Sequence, residues 1–138
     1  MSSSVTACRV YVTSLESFIN EVAVGKVSLV VQGYFAPAAV KYASIHQEKI
    51  DNIILLNPPK YVEEMRTILT DENWKVPTTI CWGKRDRWLT YDGVEDFCKD
   101  SKHKLIEIPM AGHHVQEDCG EELGQIIYDI IRKRRFGL

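Results

Sequence analysis

The chain has 138 residues, a formal net charge of −2 and 45% hydrophobic content, with a sequence pI near 6.1. That length suits one ordinary domain with enough apolar material for a core. The charge balance supplies no basic field for a phosphate backbone, which argues against nucleic acid as a partner.

Cys8, Cys81, Cys98 and Cys119 are widely separated, and neither a CxxC pair nor a His/Cys run at zinc-site spacing occurs. The expectation is a reduced intracellular protein with ordinary thiols and no metal or other cofactor. Residues 1–12 lack the apolar core of about 7–15 residues that marks a secretory signal, and nowhere do about 18 apolar residues run together. The expected chain is soluble, without a membrane partner, and cytoplasmic by default.

Residues 1–13 read as an irregular segment. Residues 14–24 (SLESFINEVAV) place Leu15, Phe18, Ile19 and Val22 at helical spacing, with Thr13 or Ser14 as N-cap and Gly25 as the stop. Residues 27–31 (VSLVV) are short, β-branched and nearly all apolar, as in a strand covered on both faces. A second helix is predicted over 35–46 (FAPAAVKYASIH), with Pro37 in its first turn and alanines that allow close packing on a sheet. Residues 50–56 (IDNIILL) form a second buried strand, ended by Asn57-Pro58-Pro59.

Val62, Met65, Ile68 and Leu69 mark one side of a helix over 61–69. Residues 76–82 (VPTTICW) give a third strand, 94–99 a connecting helix and 104–108 (KLIEI) a fourth strand. An amphipathic helix over 121–132 carries Leu123, Ile126, Ile127, Ile130 and Ile131, and 133–138 reads as a basic tail. The run Arg132-Lys133-Arg134-Arg135 matches a nuclear-localisation patch, but cations ending a helix complement its dipole, and the solvated reading is preferred. Alternation of strand and helix argues for right-handed βαβ units: one α/β domain, three layers (α/β/α), with a mainly parallel sheet of about four strands.

In such sheets, ligands gather beyond the carboxyl ends of the strands. The segments to read are therefore 32–36, 57–60, 83–89 and 110–118. Asp86, in WGKRDRW, follows one strand, and His113, in AGHHVQED, follows the next. An Asp and a His so placed can meet above the sheet, the carboxylate fixing the imidazole tautomer. Taken singly, an Asp in a Gly-rich turn is usually its cap and a loop His is usually solvated. His114 invites a metal reading, but adjacent side chains diverge and no third ligand stands at suitable spacing. His46 and His103 lie in polar contexts expected at the surface.

Together, VVQGYFAPAAVKYA, LLNPP, ICWGKRDRW and IPMAGHHVQED resemble the C-terminal half of an α/β-hydrolase. The chain is most similar to the branch of haloalkane dehalogenase-like and epoxide hydrolase-like proteins, including hydrolase-like proteins of plants; that kinship would also allow a plastid. The resemblance implies Asp86 as triad acid and His113 as base. It puts the nucleophile elbow on Val31-Gln32-Gly33-Tyr34-Phe35, with Gly33 where Ser, Asp or Cys should stand. Glycine has no side chain to attack with, so covalent catalysis of the family type cannot run through it. Cys81 in a strand and Ser44 in a helix offer no obvious substitute.

The backbone N–H of Tyr34 would be the remaining oxyanion donor of the family type, and loss of one such donor costs about 10²–10³ in kcat. Relative to the family, the N-terminal strands and the helical cap are expected to be missing. Three readings follow. In the first, a catalytically degenerate protein associates through the exposed strand containing Val27, Leu29, Val30 and Val31, pairing with a second copy or another polypeptide. In the second, the Asp86–His113 pair activates water against esters or related small molecules. In the third, Gln32, Tyr34, Phe35, Trp82 and Trp88 line the rim of a site for a small apolar ligand.

Overall fold

The computed structural model describes residues 3–101 and 103–137. Four strands, β1 (Val27–Gln32), β2 (Ile50–Leu56), β3 (Thr78–Gly83) and β4 (Lys104–Ile108), form a parallel sheet in sequential order. The boundaries of β2 and β4 are those expected from their apolar runs. β3 starts later than expected, because Pro77 has no N–H for the ladder; its carbonyl instead accepts from the Ile53 N–H at 3.0 Å.

Alternation along each strand sends side chains to two separate cores. On one face, Val31, Ile53, Leu55, Ile80 and Trp82 pack beneath α1 (Ser3–Val22), α2 (Ala36–Ile45), α3 (Glu63–Thr70) and α4 (Val94–Ser101). On the other, Ile54, Leu56, Cys81 and Ile108 meet the one-turn α5 (Val115–Asp118) and α6 (Gly120–Phe136). The three-layer α/β architecture is as expected. Among the described residues no helix is long and apolar enough to cross a membrane.

Three expectations need correction. Residues 3–13 are not irregular: α1 runs through them, and Thr13 is no cap, its hydroxyl donating to the Arg9 carbonyl one turn back. Val12 explains the extension, since it is buried in the same core as Ile19, two turns on. At the other end the basic run is no free tail but the last turns of α6, which stops at Gly137 in the left-handed region, with φ 69°.

The third correction concerns His46 and His103, both half-buried rather than surface residues. His46 Nε2 reaches the Glu16 carboxylate at 3.3 Å, and His103 Nε2 donates to the Leu69 carbonyl at 3.0 Å. Burial lowers the His103 pKa, against the opposing effect of that carbonyl. Its neutral form is therefore favoured by folding, and the unfolded chain binds more protons as pH falls below the ordinary histidine value of about 6.5. This contribution to stability is complete above that value and is lost as pH falls through the folded pKa. The thermal midpoint should drop with acidification below about pH 6.5, and His103→Gln should flatten that part of the curve. An unchanged slope in the variant would assign the effect to another group.

Candidate active site

Because the strands are parallel, their C-terminal ends make one rim, where the segments after β1, β2, β3 and β4 converge. After β1 the chain turns at Gly33, φ 60°, into a 3-10 turn (Gly33–Phe35) and then α2. An L-residue would give up about 1–2 kcal/mol to hold that left-handed conformation, whereas glycine adopts it freely. A Cβ added at Gly33 would stand 2.8 Å from His113 Nε2 and 3.3 Å from its Cε1. Position 33 thus points straight at the imidazole, and the ring occupies space that a side chain there would need.

His113 is 9% exposed, with its Nδ1 2.6 Å from Asp86 Oδ2. Asp86 is also buried. Burial alone would raise its pKa, but hydrogen bonds from the Leu89 N–H, the Asn57 amide, His113 and the Trp88 N–H together hold it below the ordinary value. The acid is therefore an acceptor-only carboxylate, which places a proton on Nδ1, so that in the neutral ring it is Nε2, facing Gly33, that holds the lone pair. No described residue hydrogen-bonds to Nε2. Gln32 Nε2 donates to the His113 carbonyl at 2.8 Å, tying the histidine loop to the end of β1.

Asn57, at the end of β2, is fully buried and holds the left-handed conformation, φ 45°. Its Oδ1 accepts from the Gly83 N–H at 2.7 Å, and its Nδ2 donates to the Gly83 carbonyl at 3.1 Å and to Asp86 Oδ2 at 2.9 Å. A single amide thus clamps the end of β3 and orients the acid. Sequence reading marked the 57–60 segment but not this residue; the available signal was an amide preceding two prolines at the mouth of the sheet.

The glycine of WGKRD also has a steric cause. A Cβ on Gly83 would lie 2.2 Å from the Gly112 carbonyl oxygen and 2.7 Å from that of Ala111, so only glycine lets the two loops cross. The crossing is fastened by Arg85 N–H to the Ala111 carbonyl at 2.9 Å, and Gly112 N–H donates to Asp118 Oδ2 at 2.8 Å. Asp118 belongs to α5, whose four residues escaped the sequence reading because one helical turn is too short to show a period.

The proposed aromatic rim is only partly realised. Trp88 is 67% exposed, its ring 5.4 Å from His113 and 6.2 Å from His114; Tyr34 is exposed, with its ring 5.9 Å from His113. A hydrogen bond with Tyr61 raises the Tyr34 pKa. Phe35 turns away to meet Tyr11, ring centroids 5.0 Å apart. Trp82 is not on the rim: strand alternation points it into the core, 1% exposed. Burial also pushes the Cys81 thiol up to about 12, so it remains protonated at neutral pH and is a poor nucleophile.

No family model and no curated protein sequence matches the chain. Solved structures do. An α/β hydrolase enzyme from a sediment metagenome of the Mar Chica lagoon, Morocco, superposes with a TM-score of 0.80 at 18% identity, over 94% of this chain and 71% of that one. A predicted CIB-like hydrolase from Thermoplasma acidophilum gives 0.79 at 16% identity, over 91% and 60%. An α/β serine hydrolase homologue from Coxiella burnetii gives 0.72 at 15%, over 94% and 61%. The chain has an α/β-hydrolase fold. It spans less than two thirds of the Thermoplasma and Coxiella structures and somewhat more of the metagenomic one.

The orientation of position 33 makes one variant informative. Gly33→Ser should bring a hydroxyl to His113 Nε2 once the ring shifts aside from the 2.8 Å approach of the new Cβ, with about 1–2 kcal/mol more for a serine in the left-handed region. A fluorophosphonate should label this variant at the introduced hydroxyl, read by intact mass and peptide mapping, and Gly33→Ser/His113→Ala should not be labelled. Equal labelling of both would mean that Nε2 does not activate position 33.

Proposed function

We propose that this chain is a hydrolase-fold protein that acts by association, with the open edge of β1 as its contact surface. The observation that carries the reading is the position of β1: it is the outermost strand, paired to β2 on one side only. Open edges of this kind are templates for another strand. Beside it, α1 exposes an apolar flank, Tyr11, Phe18 and Val22, adjoining the buried Ile19 and half-buried Leu15, and the Tyr11–Phe35 contact joins that flank to the end of β1. Val30, in the strand itself, is 44% exposed.

A twofold axis perpendicular to the sheet would pair β1 with its copy antiparallel, giving about eight continuous strands, and would bring the two α1 flanks together. Another polypeptide supplying a strand would use the same edge. Sedimentation equilibrium tests the reading: self-association across β1 requires a dimer of 15.8 kDa chains.

The geometry of His113 favours a second reading. Its Nε2 carries a lone pair, is oriented by Asp86 and faces the side-chain-free Gly33. Water held there could be deprotonated as it attacks an activated ester, with the Tyr34 N–H toward the developing oxyanion; such general-base help is worth about 10²–10⁴-fold. Across a panel of p-nitrophenyl esters, His113→Ala should then lose activity by that order. Equal rates in wild type and variant would remove this reading and leave the first untouched.

A further inference from the structure

The end of the sheet opposite His113 carries a cleft of about 750 Å³, between the N-terminal ends of the strands and the last turns of α6. Its wall combines Ile106 on β4 and Ile126 and Ile130 on α6 with Thr78 and Thr79 of β3; its rim is cationic, from Lys104, Arg132 and Lys133. Its polar contribution from β2 is Asn52, 1% exposed, whose Nδ2 donates to Ser28 Oγ at 2.9 Å while its Oδ1 has no hydrogen-bond partner. A buried polar atom left so is costly, and polar groups in such positions ordinarily have a partner.

Charge in the cleft is unbalanced. Among the described residues, Lys104, Arg132 and Lys133 make no ion pair; Arg134 is taken by Asp51 at 3.3 Å, and Asp129, the carboxylate lining the cleft, accepts from Gln125 Nε2 at 2.9 Å. Cations in the last turn of a helix answer its own carbonyl end. That accounts for Arg132 and Lys133 on α6 but neither for Lys104, which β4 contributes, nor for the unpartnered Oδ1 of Asn52.

We infer that this cleft is a binding site for a small amphipathic anion, an acyl or alkyl chain bearing a carboxylate or phosphate head. The chain would lie along Ile106 and Ile130, and the head would meet Lys104, Arg132 and Lys133. Because the Ser28 hydroxyl can donate as well as accept, the Asn52 amide can turn over, giving Oδ1 to Ser28 and presenting its N–H groups to the head. The site lies at the far end of the sheet from Asp86 and His113 and does not depend on either reading of that dyad.

Calorimetric titration of the whole chain tests the inference, with decyl phosphate and decanoate, each below its critical micelle concentration. Saturable binding of at least one is expected, and the preferred head shows whether a phosphate ester or a fatty acid is the better match. Decanol and inorganic phosphate, each carrying half of the chemistry, should bind at least about tenfold more weakly. Arg132→Glu/Lys133→Glu, two exposed positions, should weaken the preferred anion by about tenfold or more, whereas Arg135→Glu, outside the cleft, should stay within about twofold. Absence of saturable binding, decanol binding as tightly as the anions, or equal affinity in the double variant would each overturn the assignment.

Discussion

Phe18→Glu is expected to break the proposed dimer of 15.8 kDa chains into monomers without lowering the thermal midpoint of the isolated fold. Phe18 is 63% exposed on the free flank of α1, so the monomer loses little by its replacement. In a symmetric pair the side chain is covered twice, and full burial of one phenylalanine is worth about 1.5–3 kcal/mol. Two copies amount to about 3–6 kcal/mol, or about 10²–10⁴ in the dissociation constant, before repulsion between the new carboxylates is counted. Tyr128→Ala, which removes an exposed aromatic from α6, should leave association unchanged. A wild-type chain that sediments as a monomer at about 50 μM, weaker than a specific interface of standard size would give, would end the self-association reading.

The second large effect belongs to Asn57. Asn57→Ala strips the Gly83 N–H and carbonyl of their side-chain partner and removes one of the donors to Asp86, all in buried surroundings. Buried groups left unsatisfied cost about 1–3 kcal/mol each, and not all can find water, so a loss of about 3–5 kcal/mol is expected. For a chain of this length that is a fall of about 10–20 °C in the midpoint. Asn57→Gly relieves the φ of 45° but loses the same bonds, so it should be nearly as unstable if hydrogen bonding is the cause. Recovery of wild-type stability by glycine would instead make backbone strain the dominant factor. Asn57→Asp would set a second carboxylate against Asp86; the folded pair would take up a proton more readily than the unfolded chain, so its loss of stability should be greatest at neutral pH and shrink as pH falls through the carboxylate range.

Fold class and most elements were legible because their signals are local and repeated. The apolar runs of β2 and β4 have no competing reading, and the isoleucines of α6 keep one helical face throughout. The N-terminal extension of α1 was less legible: its serines and threonines look like caps until tertiary packing on Val12 is known. Asp86 and His113 could be paired from their places after successive strands. Trp82 could not be assigned to core or rim, since a one-residue shift at the end of a strand exchanges its faces. Asn57 was hidden for a different reason. Its role consists of three bonds to residues at least 26 positions away, and no local pattern encodes such a closure.

The crossing of the 83–86 and 111–113 segments bears on how the dyad would respond to mutational drift. A residue at position 33 can shrink to glycine with conformational relief, because the turn there is left-handed. Asp86 has no such exit: the Leu89 and Trp88 N–H groups, the Asn57 amide and the His113 ring all end on its carboxylate, and replacing it strands four donors at once. Selection for folding alone would therefore tolerate glycine at position 33 and hold Asp86 in place. An intact Asp86–His113 pair fastens the sheet's upper edge through these bonds alone, so its presence by itself does not measure activity.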